Sequence, residues 1–211
     1  MATYLFDFDG TLVDSMPTFV AAFTRPLKKF GMPVPEDYVK TITPLGFRGA
    51  TRHLLSLGLP MTEEEVVREV GEFCTGAYLN EIVAKPNVKE TLEALKARGD
   101  SLHVLTASPH VTLDPCLQRN GLYELFENVW SCEDFDTTKA DPAIYRMVAE
   151  RIGKPVSDII FLDDNLDADR TAKSAGMRVY GVFDESSREF ADEIRAVTDR
   201  YITDFSELLE E

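Results

Sequence analysis

Three short stretches carry side chains whose types and spacing could do chemistry. Asp7-Phe8-Asp9-Gly10-Thr11 places two carboxylates two residues apart, just past the apolar run Tyr4 to Phe6. On a continuing strand they would share one face, whereas a turn at Gly10 would swing Asp9 over Asp7. In either geometry the pair repels itself unless a hard cation neutralises it. Mg²⁺ suits that task, because it takes a few carboxylates together with waters and phosphate oxygens. A second acidic stretch, Asp163-Asp164-Asn165-Leu166-Asp167-Ala168-Asp169, follows the apolar run Ile159 to Leu162. Between them Thr106-Ala107-Ser108-Pro109 ends another apolar run with hydroxyls and backbone N–H groups beside a helix start, an arrangement that attracts phosphate. Each stretch alone also has a plain explanation, since Asp-Gly-Thr makes ordinary turns, and Thr, Ser and Asp cap helices.

The elements that must position these residues follow from periodicity. Tyr4 to Phe6, Ser101 to Thr106, Asn128 to Ser131, Ile159 to Leu162 and Val179 to Val182 read as strands. The run Ile159 to Leu162 is apolar without alternation, as in a strand buried on both faces of a parallel sheet. Ser15 is expected to cap a helix from Met16 to about Phe30, stopped by Gly31. Helical patterns follow near 36–42, 47–57 and 62–82, the last with Thr62 as cap and Glu65 as its reciprocal partner. Thr43 to Gly49 reads as a loop rich in helix breakers that carries Arg48. Further helices are expected from Pro86 to Arg98, Pro109 to Arg119, Ala143 to Arg151 and, after Tyr201-Ile202, Asp204 to Glu210. The helical block of about 65 residues after the first strand is too long for a simple crossover. The expected organisation is therefore a core of residues 1–14 and 85–211 with a helical insertion at 15–84.

Composition narrows the function classes. The chain has 211 residues and 44% hydrophobic content, enough for a sizeable core. With 37 acidic and 22 basic residues its formal charge is −15, which disfavours nucleic acid and anionic membranes as partners. Cys74, Cys116 and Cys132 are odd in number and widely spaced, arguing against a disulfide framework or a zinc site, and a cytoplasmic setting fits. No basic, apolar leader and no window of about 18 apolar residues is present. A monomer or homodimer is expected.

The string Asp-Phe-Asp-Gly-Thr-Leu-Val-Asp-Ser resembles the first signature of the haloacid dehalogenase superfamily. The resemblance spans essentially the whole chain, with three further signatures in order at predicted strand ends. It implies a Rossmann-like α/β core with a parallel sheet and a small inserted α-helical cap over the site. It also implies Asp7 as nucleophile, Asp9 as general acid and base, and Thr106 with the Ala107 N–H as the groups that bind the phosphoryl group. Lys139 matches the third signature, although Ala140 replaces the usual Pro. Asp164 would be a direct ligand of Mg²⁺ beside Asp7 and the Asp9 carbonyl, with Asp163 as a further ligand or a support. Asp163 replaces a frequent Gly, and Ala168 stands where an Asp often lies, so Asp167 or Asp169 could substitute. Arg48 would be the cap's contact to substrate.

The implied activity is Mg²⁺-dependent hydrolysis of a small phosphorylated metabolite, of phosphoglycolate or sugar-phosphate type, through an aspartyl phosphate on Asp7. Asp9 argues against the dehalogenases of this superfamily, which usually carry Tyr there and need no metal. The alternatives are a β-phosphoglucomutase-like phosphotransferase and a non-catalytic phospho-ligand or protein-binding relative. The mutases carry a His at about the position of Phe19, and the intact Asp7 and Asp9 speak against a binding protein.

Overall fold

The computed structural model describes residues 1–210 of the chain. Its order is β1 (Thr3–Phe6), α1 (Met16–Lys29), α2 (Tyr38–Ile42), α3 (Gly46–Ser56), α4 (Glu63–Asn80), α5 (Val88–Ala97), β2 (Ser101–Thr106) and α6 (His110–Arg119). There follow β3 (Asn128–Ser131), α7 (Pro142–Ile152), β4 (Ile159–Asp163), α8 (Leu166–Ala175), β5 (Arg178–Val182), α9 (Ala191–Val197) and β6 (Arg200–Ile202). Short 3-10 turns link several of these. The chain falls into two compact units, Met1–Asp14 with the chain from Val83 onward, and Ser15–Ile82. The return falls at Val83 because Asp14 and Lys85 donate their N–H groups to Val83 O and Leu12 O, at 3.0 Å each, pairing the two connecting segments.

In the α/β unit six strands form one sheet in the order β3-β2-β1-β4-β5-β6, and every pairing is parallel. β1 is central, with Phe6 opposite Val104 on one side and Leu162 on the other. The strand order reverses at β1, and in such sheets ligands bind outside the carboxyl ends of the strands at the reversal. Successive side chains point to opposite faces. Leu5 packs on one face with Phe161, Val179, Tyr145 and Val148. Tyr4 and Phe6 stack at 5.8 Å on the other, where Phe6 also meets Phe126 and Phe205.

The helical unit is built from α1 to α4 around Phe23, Leu27, Tyr38, Ile42, Leu54, Val66 and Val70. The Tyr38 hydroxyl donates to Phe23 O at 3.1 Å, and the His53 ring lies 5.9 Å from the Tyr38 ring, a packing role. Thr62 and Glu65 form the expected reciprocal cap of α4, with Glu65 N–H to Thr62 Oγ1 at 3.2 Å and Thr62 N–H to Glu65 Oε2 at 2.8 Å. No described helix is long and apolar enough to cross a membrane.

Several local expectations need correction. Ser15 precedes α1 but makes no side-chain cap; its ψ of −18° is helical, Pro17 supplies no N–H in the first turn, and Ser15 Oγ is buried without a partner. Thr43 to Gly49 is not a loop, since a 3-10 turn over Thr43–Leu45 runs directly into α3. Pro86 lies outside α5, whose N-cap Asn87 adopts a left-handed φ of 61°. The final helix is a 3-10 segment, Phe205–Leu209, in which the Arg200 guanidinium donates to the Glu207 carbonyl at 2.7 Å and the Glu207 carboxylate accepts from the Asp204 N–H at 3.0 Å. α9 was not anticipated: it is 7 residues long and its one buried side chain is Ile194, too little for a periodic signal.

Candidate active site

Asp7 arrives at the carboxyl end of β1. Its N–H donates to Leu162 O at 2.8 Å, so the ladder to β4 continues past Phe6 and brings Asp7 beside Asp163. The chain then turns, with Leu12 and Val13 both donating to Phe8 O at 2.9 and 3.1 Å. Gly10 sits at φ +75°, and a Cβ there would lie 2.6 Å from Asp164 Oδ2. Both the backbone conformation and the close approach therefore demand glycine. Thr11 Oγ1 donates to Asp164 Oδ1 at 2.9 Å, which ties the turn to the end of β4.

Lys139 reaches in from the segment before α7. Its Nζ donates to Asp7 Oδ1 at 2.5 Å and to Asp163 Oδ2 at 2.7 Å. The Tyr145 hydroxyl donates to Lys139 O and Ala168 O at 3.1 and 3.2 Å, fixing the backbone that carries the ammonium. Asp163 Oδ1 accepts from the Asn165 N–H at 2.8 Å, so both of its oxygens are engaged. Asn165 Oδ1 in turn caps α8, accepting from the Asp167 and Ala168 N–H groups.

Burial pushes the Asp7 carboxyl up to about 7 against the opposing pull of Lys139, with Asp163 and Asp9 adding to the rise. Asp164 is held well above the carboxylate range by burial, and then by Asp163 and Asp7. Burial pulls Lys139 down, but Asp163 and Asp7 overcome it and hold the ammonium well above its usual value. Of the three buried carboxylates, Asp7 and Asp163 share the Lys139 ammonium, whereas Asp164 feels only the weaker pull of Lys85. Asp7, Asp163 and Asp164 each offer an oxygen, all within 4.8 Å of one another. Hard oxygen donors with surplus negative charge fit Mg²⁺, and Asp7 and Asp164 keep oxygens available for it.

The remaining expected residues divide. Thr106 is buried at the end of β2 and its hydroxyl accepts from the Ser108 N–H at 3.1 Å; α6 begins after Pro109 without a side-chain cap, so Thr106 and Ser108 are not capping it. Ala107 is exposed between them. Asp9 lies outside the carboxylate cluster, its Oδ2 accepting from Ser108 Oγ at 2.5 Å. Asp167 is solvated, pairing with Arg170 at 3.6 Å. Asp169 is fully buried, neither carboxyl oxygen has a hydrogen-bond partner, and burial raises its pKa well above the usual range. Arg48 is exposed in the first turn of α3 in the helical unit.

Thr11 and Tyr145, which hold the Asp164 carboxylate and the Lys139 backbone, and Lys85 and Asp184, which form a sheltered ion pair at 3.0 Å beside the Gly10 turn, escape a reading of the sequence. Thr11 belongs to the first signature, and a hydroxyl beside two carboxylates is a signal for a donor. Asp184 follows β5 as Asp7 follows β1, so its place at a strand's carboxyl end was a usable signal. Tyr145 and Lys85 gave none, since a helix tyrosine and a linker lysine are ordinary.

The chain matches the family model described as haloacid dehalogenase-like hydrolase over residues 4–182. It is 32% identical to a phosphoglycolate phosphatase of Haemophilus influenzae, covering 84% of this chain and 83% of that one. It is 28% identical to a phosphorylated carbohydrates phosphatase of Thermotoga maritima, covering 86% and 85%. Among solved structures it resembles one described as a predicted phosphoglycolate phosphatase of Haemophilus somnus, with TM-score 0.82, 27% identity and coverage of 100% and 97%.

Proposed function

The chain belongs to the haloacid dehalogenase-like hydrolases, and on that premise we propose that it is a Mg²⁺-dependent phosphatase of small phosphomonoesters, of the phosphoglycolate or sugar-phosphate kind. The observation that carries this reading is Asp7 itself: a buried carboxylate at the sheet's reversal point, 2.5 Å from the Lys139 ammonium and clustered with Asp164.

In this reading an Asp7 oxygen attacks phosphorus in line, forming an acyl phosphate as the bond to the alkoxide breaks. Asp9 protonates the departing alkoxide, then takes a proton from the water that hydrolyses the acyl phosphate. Ser108 holds that carboxylate through its 2.5 Å hydrogen bond. The Thr106 hydroxyl, whose lone pair already takes the Ser108 N–H, has its proton for a phosphoryl oxygen, and the Ala107 N–H supplies a second donor. Lys139 balances the nucleophile and the phosphoryl charge. Asp7, Asp164 and the Asp9 carbonyl would hold Mg²⁺, with Asp163 supporting Lys139; the ion would offset charge on the phosphoryl oxygens. We assign the helical unit Ser15–Ile82 to substrate selection, with Arg48 as its leading candidate.

Phosphate release from phosphoglycolate, hexose phosphates and nucleotides, with and without Mg²⁺ and with Asp7→Asn alongside, tests the reading. Metal-dependent release that Asp7→Asn abolishes is expected. Interconversion of phosphosugar isomers without phosphate release would replace hydrolysis by mutase-like transfer, and binding of esters without turnover of either kind would leave a binding protein.

A further inference from the structure

Lys85 lies where the chain re-enters the α/β unit, and all three protons of its ammonium are used. Nζ donates to Gly10 O at 2.6 Å, Phe183 O at 2.7 Å and Asp184 Oδ2 at 3.0 Å. Its own backbone N–H donates to Leu12 O at 3.0 Å, so one residue grips the turn after Asp9 at two points. The side chain is 17% exposed and that of Asp184 is 6% exposed. A pair this sheltered resists screening, unlike the surface pairs Arg188–Glu185 and Arg195–Asp192. Asp184 is itself fixed, Oδ1 accepting from the Ser186 N–H at 2.9 Å and from Ser186 Oγ at 2.6 Å. The ammonium therefore links the Asp9-Gly10 turn to a rigid anchor past β5.

Gly10 is the residue whose displacement matters most. Its Cα faces the Asp164 carboxylate so closely that no side chain fits, and its neighbour Thr11 donates to the same carboxylate. A shift of the Gly10 peptide would change the spacing between the turn carrying Asp7 and Asp9 and the end of β4.

We propose that Lys85 is a positioning residue for the reaction, an ammonium that holds the Asp7–Val13 turn in register with Asp164 by binding the Gly10 carbonyl and anchoring it to Phe183 and Asp184. This rests on the phosphatase reading above. Lys139 touches the reacting carboxylate, whereas Lys85 acts only through the backbone that presents it.

The test uses the full chain with Lys85→Met, which keeps the stem and removes the donors, and Asp184→Asn, which keeps an acceptor and both carbonyl contacts. Three quantities are read: amide hydrogen exchange of the peptide spanning residues 7–13, kcat and KM on the best ester, and the Mg²⁺ concentration for half-maximal rate. Lys85→Met should speed exchange in 7–13, lower kcat about 10- to 100-fold with KM within about twofold, and raise the Mg²⁺ requirement. Asp184→Asn should stay within about threefold of the parent in kcat. Lys85→Gln, which retains an N–H donor, serves the same comparison if the methionine variant does not fold. Unchanged exchange in 7–13 overturns the tether. Faster exchange with kcat per folded molecule unchanged overturns its role in the reaction and leaves a structural bond. A parent chain inactive on every ester defeats the phosphatase reading instead, while exchange in 7–13 still decides the tether.

Discussion

The two units bury different things. The α/β unit hides Asp7, Asp100, Asp163, Asp164, Asp169 and Asp184, whereas among the described residues of Ser15–Ile82 no carboxylate is buried. There the interior is Phe23, Leu27, Ile42 and Leu54, and the buried polar side chains are hydroxyls such as Thr24 and Thr51. Burying a charge costs free energy unless it is paired, so a unit with several buried acids gives up stability that an apolar core would have supplied. Geometry for chemistry is concentrated in one unit, and the other is held together by ordinary packing.

That contrast is sharpest at Lys139. Lys139→Met should leave Asp7 and Asp163 buried without their shared partner. The expected loss is about 3–5 kcal/mol of stability without Mg²⁺, and about 10³-fold in kcat, measured by urea denaturation and phosphate release. The helical counterpart is Leu54→Ala, at a fully buried apolar position. It should cost about 2–5 kcal/mol while kcat per folded molecule stays within about twofold. A Leu54→Ala protein that is well folded but inactive would break the division of labour between the units.

Buried polar groups of the α/β unit also occur in packing roles. His103 on β2 is buried between Ser101 Oγ at 2.8 Å and Asn128 Nδ2 at 3.0 Å, its ring stacked on Trp130. Burial pulls its pKa down to about 4 from an ordinary 6.5. The unfolded chain therefore binds the proton more tightly, and the neutral ring's contribution is complete above pH 6.5 and lost as the pH falls from 6.5 towards 4. The loss amounts to at most about 3 kcal/mol. Denaturation midpoints of the parent and of His103→Gln should lie furthest apart above pH 6.5, where their difference is constant, and approach each other as the pH falls from 6.5 to about 4. Parallel profiles would mean that the imidazole is not held neutral.

Much of the site was legible because strand ends are legible. The apolar runs before Asp7, Thr106 and Asp163 fix where strands stop, and a parallel sheet collects those ends on one edge. Lys139 was indicated by the family resemblance alone, as the lysine of its third signature before a helix start; by residue type it reads as an ordinary surface lysine. What stayed hidden depends on pairings distant in sequence: Lys85 meets Gly10 and Asp184 across 75 and 99 residues. Nothing in the local string Ala84-Lys85-Pro86 encodes them. Asp167 and Asp169 were equivalent in the sequence, and only the rotation of α8 separates a solvated carboxylate from a buried one. Ser15 shows the reverse error, a correct residue type defeated by a helical ψ and by Pro17. Capping chemistry needs the backbone as well as the side chain.

Caps give the smallest and cleanest comparison, because each unit contains one of similar strength. In the helical unit Thr62 takes the Glu65 N–H at 3.2 Å. In the α/β unit Asp141 takes the Ala143 N–H at 2.9 Å at the start of α7, two residues after Lys139. Thr62→Ala and Asp141→Ala should each cost about 1 kcal/mol, shifting Tm by about 2–4 °C. Their effects on turnover should differ. The Asp141 carboxylate also accepts from Thr137 Oγ1 at 3.3 Å, so the side chain that alanine lacks helps shape the loop that delivers the Lys139 ammonium. Asp141→Ala should therefore lower kcat severalfold, about 3- to 10-fold, at a stability cost that leaves Thr62→Ala fully active. Equal kcat in the two variants would show that Lys139 is placed by its carboxylates and by Tyr145 alone, and that the loop before α7 contributes only to stability.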